Sequence, residues 1–315
     1  MERLDFAEFR RCRRRSLRQP RRSPGLVGRR SVSFTTLVDA GTLAAHLNDP
    51  GWRIFDLRHQ LVDPGYGERA YHAGHIPGAR FLHCDRDLSG PCTGRNGRHP
   101  LPDARRFAAR LAEEGVGPGV QVVAYDDSQG MIAGRLWWLL RWLGHREVAV
   151  LDGGLAAWQE GGWGLESAPL PPRPALPWNP RLEDMVVDAA AVAERIGRRG
   201  GVLVDARSPD RYRGENETLD PVGGHIPGAV NRFFRDNLAP NGRFKAAEVL
   251  RAEWLAVLAG ADCTEVVHQC GSGVSACHNI LAMELAGLAG SRLYAGSWSE
   301  WCADPARPVE TGTPG

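Results

Sequence analysis

Short apolar runs alternate along this chain with longer stretches whose apolar side chains recur at helical spacing. Runs such as "VLVDA" (202–206), "EVVHQ" (265–269) and "RLYAG" (292–296) are rich in β-branched residues and bounded by turn residues. That pattern predicts strands buried on both faces, as in a parallel sheet. Between such runs, "AARLAEEG" (108–115), "GRLWWLLRWLG" (134–144) and "AEWLAVLAG" (252–260) predict helices. The last two close at glycine, as helix C-termini often do. Strand–helix alternation predicts an α/β fold, a mostly parallel sheet flanked by helices.

The pattern occurs twice. "IFDLR" (54–58) answers to "LVDAR" (203–207), and "GHIPGA" at 74–79 returns unchanged at 224–229. "VVAYD" (122–126) matches "VVHQC" (266–270), and "LDGGLAAW" (151–158) resembles "LYAGSWSEW" (293–301). A near-constant offset joins these pairs, so the chain reads as two tandem domains of one fold. Their expected bounds are 33–165 and 181–310. Between them, "ESAPLPPRPALPWNP" (166–180) carries six prolines and predicts an extended, semi-rigid linker.

A length of 315 residues suits two domains. The net charge of +2 conceals an asymmetry, because residues 1–30 hold eleven arginines against three acids. The remainder has 28 basic and 34 acidic residues, and a mildly acidic body argues against a nucleic-acid-binding core. Residues 1–32 predict a disordered extension. A nucleic-acid or membrane-surface arm and a targeting peptide are the alternatives. That segment has no apolar stretch of the kind found in secretory signals, and no window of the chain predicts a membrane span. Seven cysteines, odd in number and without a C-x-x-C pair, argue against a disulfide framework and a structural zinc site. Reduced thiols and a cytoplasmic location are expected.

The candidate chemistry centres on "HQCGSGVSACHN" (268–279). Cys270 ends a predicted strand, and the next residues open a predicted helix, the place where ligand sites form in parallel α/β sheets. Gly271 and Gly273 let successive N–H groups converge, and with the helix N-terminus they concentrate positive potential at one point. A thiol there is predicted to have a depressed pKa and to act as a nucleophile, and the same cradle suits an added sulfur as Cys–S–S⁻. At the matching place the first half carries Asp126, which cannot hold a persulfide.

With the "DAR…GHIPGA" signature in both halves, the six-residue loop "CGSGVS" and the closing "YAGSWSEW", the chain resembles tandem-domain rhodanese-type sulfurtransferases over about residues 34–310. The resemblance implies two rhodanese-like domains, the first non-catalytic. It also implies a ping-pong reaction in which a donor's sulfane sulfur forms a persulfide on Cys270 and passes to cyanide or a thiol. No cofactor, metal, nucleic acid or membrane is expected. The protein is expected as a monomer or weak oligomer.

In this family, thiosulfate enzymes commonly carry Arg and Lys after the cysteine, whereas mercaptopyruvate enzymes carry Gly and Ser, as Gly271 and Ser272 do here. The loop residues Gly271, Ser272, Gly273, Val274 and Ser275 are therefore expected to bind substrate. Arg211 matches the family's substrate arginine, the alternative being a surface cation beside Asp210 or Glu215. A second arginine usual in the mercaptopyruvate branch is missing from "ENETLDPVGG" (215–224). A Ser–His–Asp relay assigned to some members would here be Ser272, His75 and Asp63. His225 repeats His75, which supports a fold role for both, and Asp56, Arg58, Asp205 and Arg207 are read as structural for the same reason.

Three alternatives remain. Thiosulfate:cyanide transfer is one as the main activity. A non-catalytic sulfur-carrier or docking module is another. Cell-cycle-type phosphatases share the fold but need Cys-x₅-Arg, and Ala276 occupies the arginine's place.

Overall fold

The computed structural model describes residues 33–313 apart from 169 and 199; the expected N-terminal extension lies outside the described residues. The strands are β1 (Leu37–Val38), β2 (Trp52–Asp56), β3 (Ala79–Phe81), β4 (Gln121–Tyr125), β5 (Val148–Leu151), β6 (Val186–Val187), β7 (Val202–Asp205), β8 (Val230–Asn231), β9 (Val266–Gln269) and β10 (Arg292–Tyr294). They form two five-stranded sheets of identical order, β1-β5-β4-β2-β3 and β6-β10-β9-β7-β8. Every pairing is parallel, with Ile54 opposite Val123 in one sheet and Val204 opposite His268 in the other. Parallel neighbours need helical crossovers, which is why strands and helices alternate in the sequence. Helix starts repeat as well. Asp39 and Asp188 each accept the N–H three residues on, at 2.8 Å, capping the first helix of each half.

The repeated hexapeptide and its "DxR" partner make the same construction twice. Asp56 and Asp205 each hold an arginine two residues on at 2.6 Å. The arginine reaches across to the carbonyl of Gly74 or Gly224 at 2.6 and 2.7 Å. His75 stacks on Tyr71 and bonds its carbonyl at 2.8 Å, and His225 repeats this with Tyr212 at 2.9 Å. These side chains are buried and engaged, so the repeat encodes packing.

One apolar cluster spans the two halves, and each half also keeps clusters of its own. Helix Ala133–Trp142 packs against helix Ala276–Leu285, and Trp137, Trp138, Leu140, Cys277, Ile280 and Leu281 belong to one buried cluster. Each such large apolar side chain contributes about 1.5–3 kcal/mol on burial. The contact is close at Gly134, whose Cβ position would lie 3.5 Å from the His278 Cα. One helix end departs from expectation. Helix Ala247–Leu258 takes its left-handed turn at Ala259 (φ 48°), one residue before the glycine.

Candidate active site

β9 ends at Gln269, and Cys270 follows at the carboxyl edge of the sheet, 2% exposed. The loop is held from behind by the segment after β10. Ser297 Oγ accepts the Cys270 N–H at 3.1 Å, Trp298 N–H donates to the Cys270 carbonyl at 3.0 Å, and Ser299 N–H donates to the Gly271 carbonyl at 3.0 Å. Gly273 has φ 78°, and a Cβ there would stand 2.3 Å from the Ala295 carbonyl, so only glycine fits. Its N–H donates to the Cys270 sulfur at 3.1 Å. Among the described residues, the N–H groups of Gly271, Ser272, Val274, Ser275 and Ala276 have no acceptor. A ring of open donors at a helix N-terminus is an anion cradle around a single thiol.

Cys270 opens into a cleft of about 310 Å³ formed by both halves, to which Gly271, Ser272, Val274 and Ser275 also contribute. Arg98, Arg207, Arg211 and Arg235 are among the residues that line it. Arg211 binds Glu217 with two contacts of 2.8 Å and approaches Asp220 at 3.5 Å. Its partners are thus not Asp210 or Glu215, which bond Asn216 and Arg213 instead. Burial alone would raise the Glu217 carboxyl, but the Leu219 N–H and the Arg211 guanidinium bring it below its ordinary value. Arg98 also pairs with Asp220. A Cβ on Gly271 would lie 2.9 Å from Arg98 Nη2 and 3.5 Å from both terminal nitrogens of Arg211. Two cations therefore stand over the loop glycine, one from each half of the chain.

Of the three residues of the possible relay, only Ser272 lies at the loop. His75 is engaged with Tyr71, and Asp63 is an exposed partner of Arg69, so neither reaches Ser272. His99 occupies the position instead. Its Nδ1 lies 2.7 Å from Ser272 Oγ and its Nε2 3.0 Å from Asp85 Oδ1. The hydrogen bond from His99 is the largest influence holding the Asp85 carboxyl below its ordinary value. An ionised Asp85 can only accept, which places the imidazole proton on Nε2 and leaves Nδ1 to accept from the Ser272 hydroxyl.

Arg135, on helix Ala133–Trp142, is fully buried. It donates to the Gly273 carbonyl at 3.0 Å and the His99 carbonyl at 3.1 Å, tying the cysteine loop to the histidine. Two further buried cysteines, Cys84 and Cys277, lie outside the cradle. Burial pushes the Cys84 and Cys277 thiols up to about 12, which makes them poor nucleophiles.

The roles of His99 and Arg98 were not anticipated from the sequence, but a signal existed. "NGRH" (96–99) has a counterpart in "NGRF" (241–244), so His99 marks a place where the two halves differ within a shared stretch.

The fold is thus a tandem α/β repeat with one thiol in an anion cradle at the edge of the second sheet. A rhodanese-like domain profile matches residues 39–161 and 188–304, and the chain belongs to that family. It is 48% identical over 283 residues to a Pseudomonas aeruginosa protein named "Probable 3-mercaptopyruvate sulfurtransferase", covering 89% of this chain and 100% of that one. It is 34% identical over 282 residues to the thiosulfate sulfurtransferase of Bos taurus, covering 86% and 93% of the two chains. Its structure is similar to 3-mercaptopyruvate sulfurtransferase from Leishmania major, with a TM-score of 0.76, 31% identity, and coverage of 85% of this chain and 74% of that one. The protein is an enzyme of the sulfurtransferase class.

Proposed function

We propose that this sulfurtransferase takes its sulfur from 3-mercaptopyruvate, holds it as a persulfide on Cys270, and delivers it to a thiol or cyanide. The observation that carries the donor choice is the hydrogen-bonded chain from Ser272 through His99 to Asp85. The Cys270 thiolate attacks the donor sulfur, the S–S bond forms, and the C–S bond breaks. The leaving group is the enolate of pyruvate. The donor's thiol proton must leave sulfur and reach carbon, and Ser272 with His99 provides a path for it. Thiosulfate has no such proton and leaves as sulfite, so a relay would have nothing to carry. In the second half-reaction the acceptor attacks the outer sulfur and Cys270 departs as thiolate.

Arg98 and Arg211 fit the donor's carboxylate, with Arg98 supplying the second cation absent from residues 215–224. One charge-assisted contact is worth about 1.5–3 kcal/mol, which corresponds to about a 10- to 150-fold change in apparent affinity. The open N–H groups around Cys270 suit the negative outer sulfur of the persulfide. The six described cysteines are free thiols, which supports a reducing, cytoplasmic setting. Among the described residues no helix is long and apolar enough to cross a membrane.

The test is turnover of both donors by wild type and His99→Asn. The substitution is expected to lower 3-mercaptopyruvate turnover by about 10²–10⁴-fold and to leave thiosulfate turnover nearly unchanged. Equal losses with both donors would overturn the donor assignment. Arg98→Ala is expected to raise the KM for 3-mercaptopyruvate more than it lowers kcat.

A further inference from the structure

Behind the relay, one imidazole has no evident purpose. His59 follows the structural Arg58, its side chain is 3% exposed, and its Nε2 has no hydrogen-bond partner among the described residues. His83, 5.6 Å away centroid to centroid, is already engaged. Its Nε2 meets the Pro64 carbonyl at 3.0 Å, and its Nδ1 accepts the Asp85 N–H at 3.1 Å. The free nitrogen of His59 instead faces Asp85 Oδ1 at 3.9 Å, the same oxygen that His99 Nε2 meets at 3.0 Å.

Cys84 completes the group. One ligand atom each from His59, Cys84, Asp85 and His99 lies within 4.8 Å of all the others. Metal–ligand bonds of about 2.0–2.3 Å imply tetrahedral edges of roughly 3.3–3.8 Å, so the widest pair would close by about 1 Å. Asp85 is the exposed member and the one with room to move. Cys84 and His99 both face the cleft, which gives an ion a route inward.

We propose that His59, Cys84, Asp85 and His99 form a zinc site that switches the enzyme off. Zinc displaces the Cys84 proton to solvent, and the thiolate and Asp85 carboxylate neutralise its two charges. A neutral centre suits so buried a place, where an unbalanced charge would be costly. Coordination through His99 Nε2 moves the imidazole proton to Nδ1, which then donates to Ser272. A serine receiving that hydrogen bond can no longer pass its own proton to the ring. Zinc binding is independent of which donor the enzyme uses; the loss of turnover rests on the proposed relay.

The test separates the two. Cys270→Ser, which removes the reactive thiol as a competing ligand, is titrated with Zn²⁺ by calorimetry and with Co²⁺ by absorbance. One ion per chain is expected, with tetrahedral cobalt bands and a thiolate-to-cobalt transition that disappears on adding Cys84→Ser. Adding His59→Ala instead should weaken binding at least about 10-fold, the minimum loss seen even for outer-sphere partners. His59→Ala is at no catalytic position, and it keeps the test decisive if the core variant Cys84→Ser fails to fold. In otherwise wild-type protein, zinc should abolish 3-mercaptopyruvate turnover reversibly to chelator, whereas His59→Ala alone should turn over normally and resist zinc. No ion bound, or binding indifferent to His59→Ala, would overturn the site. Binding without loss of turnover would overturn the switch.

Discussion

The loops after β4 and β9 begin at equivalent points of two sheets of identical order and lead into two helices packed against each other, yet they end in opposite states. After β4, Asp126 turns its carboxylate back into its own loop. Oδ1 accepts from Ser128 and Gly130 at 2.9 and 2.8 Å, and Oδ2 from Ile132 and Ala133 at 2.8 and 2.9 Å. After β9, Cys270 takes only the Gly273 N–H, and the remaining donors stay open. The mouths differ too. Phe244 lies over the first loop, 3.7 Å from the Cβ position of Gly130, whereas its counterpart His99 meets Ser272 over the second. One half has filled and covered its anion nest with its own side chains. The other has left it open around a thiol.

The difference between the two loops rests first on Cys270. Cys270→Ser should lower sulfur transfer by at least about 10⁴-fold and remove the one-sulfur mass adduct seen after donor treatment. Substantial turnover by the serine variant would remove the difference between the loops. The converse change, Asp126→Cys, should yield no second persulfide, because residue 126 is fully buried and Phe244 lies over its loop at Gly130. It should also destabilise the fold by about 3 kcal/mol in denaturant unfolding, since four N–H groups lose a charged acceptor. Two sulfur adducts per chain would show that filling the nest is not what silences the first half.

The contact between halves gives a sharper test. Arg135→Met keeps the bulk of the side chain but releases the Gly273 and His99 carbonyls. It should lower kcat by about 10²-fold, the cost of misplacing catalytic groups by about an ångström. An unchanged kcat would mean that the second loop keeps its geometry without the first half.

The smallest effect is one of pH. Asp85 has a lowered pKa in the folded protein, so its contribution to stability is fully present above the unfolded value of about 3.9 and is lost as pH falls through the lower folded value. The difference in melting temperature between wild type and Asp85→Asn should therefore hold near neutrality and close below about pH 4. A difference that persists in acid would show that His99 is oriented by something other than this carboxylate.

The duplicated α/β pattern, the family and the candidate thiol are legible in the chain alone. Those features are local. A strand end, two glycines and a helix start lie within one dozen residues, and the repeated hexapeptide announces its packing role by recurring. The same locality makes His75 conspicuous, and the return of its motif at His225 already points to a fold role. His75 drew attention because it stands in a recognisable motif, and that motif exists to stack a histidine on Tyr71. Only the tertiary structure decided which residues face Cys270 from outside its loop. His99 is 173 positions from Ser272, and Arg98 and Arg135 come from the same distant half. They arrive because helix Ala133–Trp142 buries its tryptophans against helix Ala276–Leu285, bringing one domain's loop to the other's sheet edge. Apolar burial drives that docking without direction, so the polar neighbours it creates follow from the shapes of two packed surfaces and leave no period or spacing in the chain.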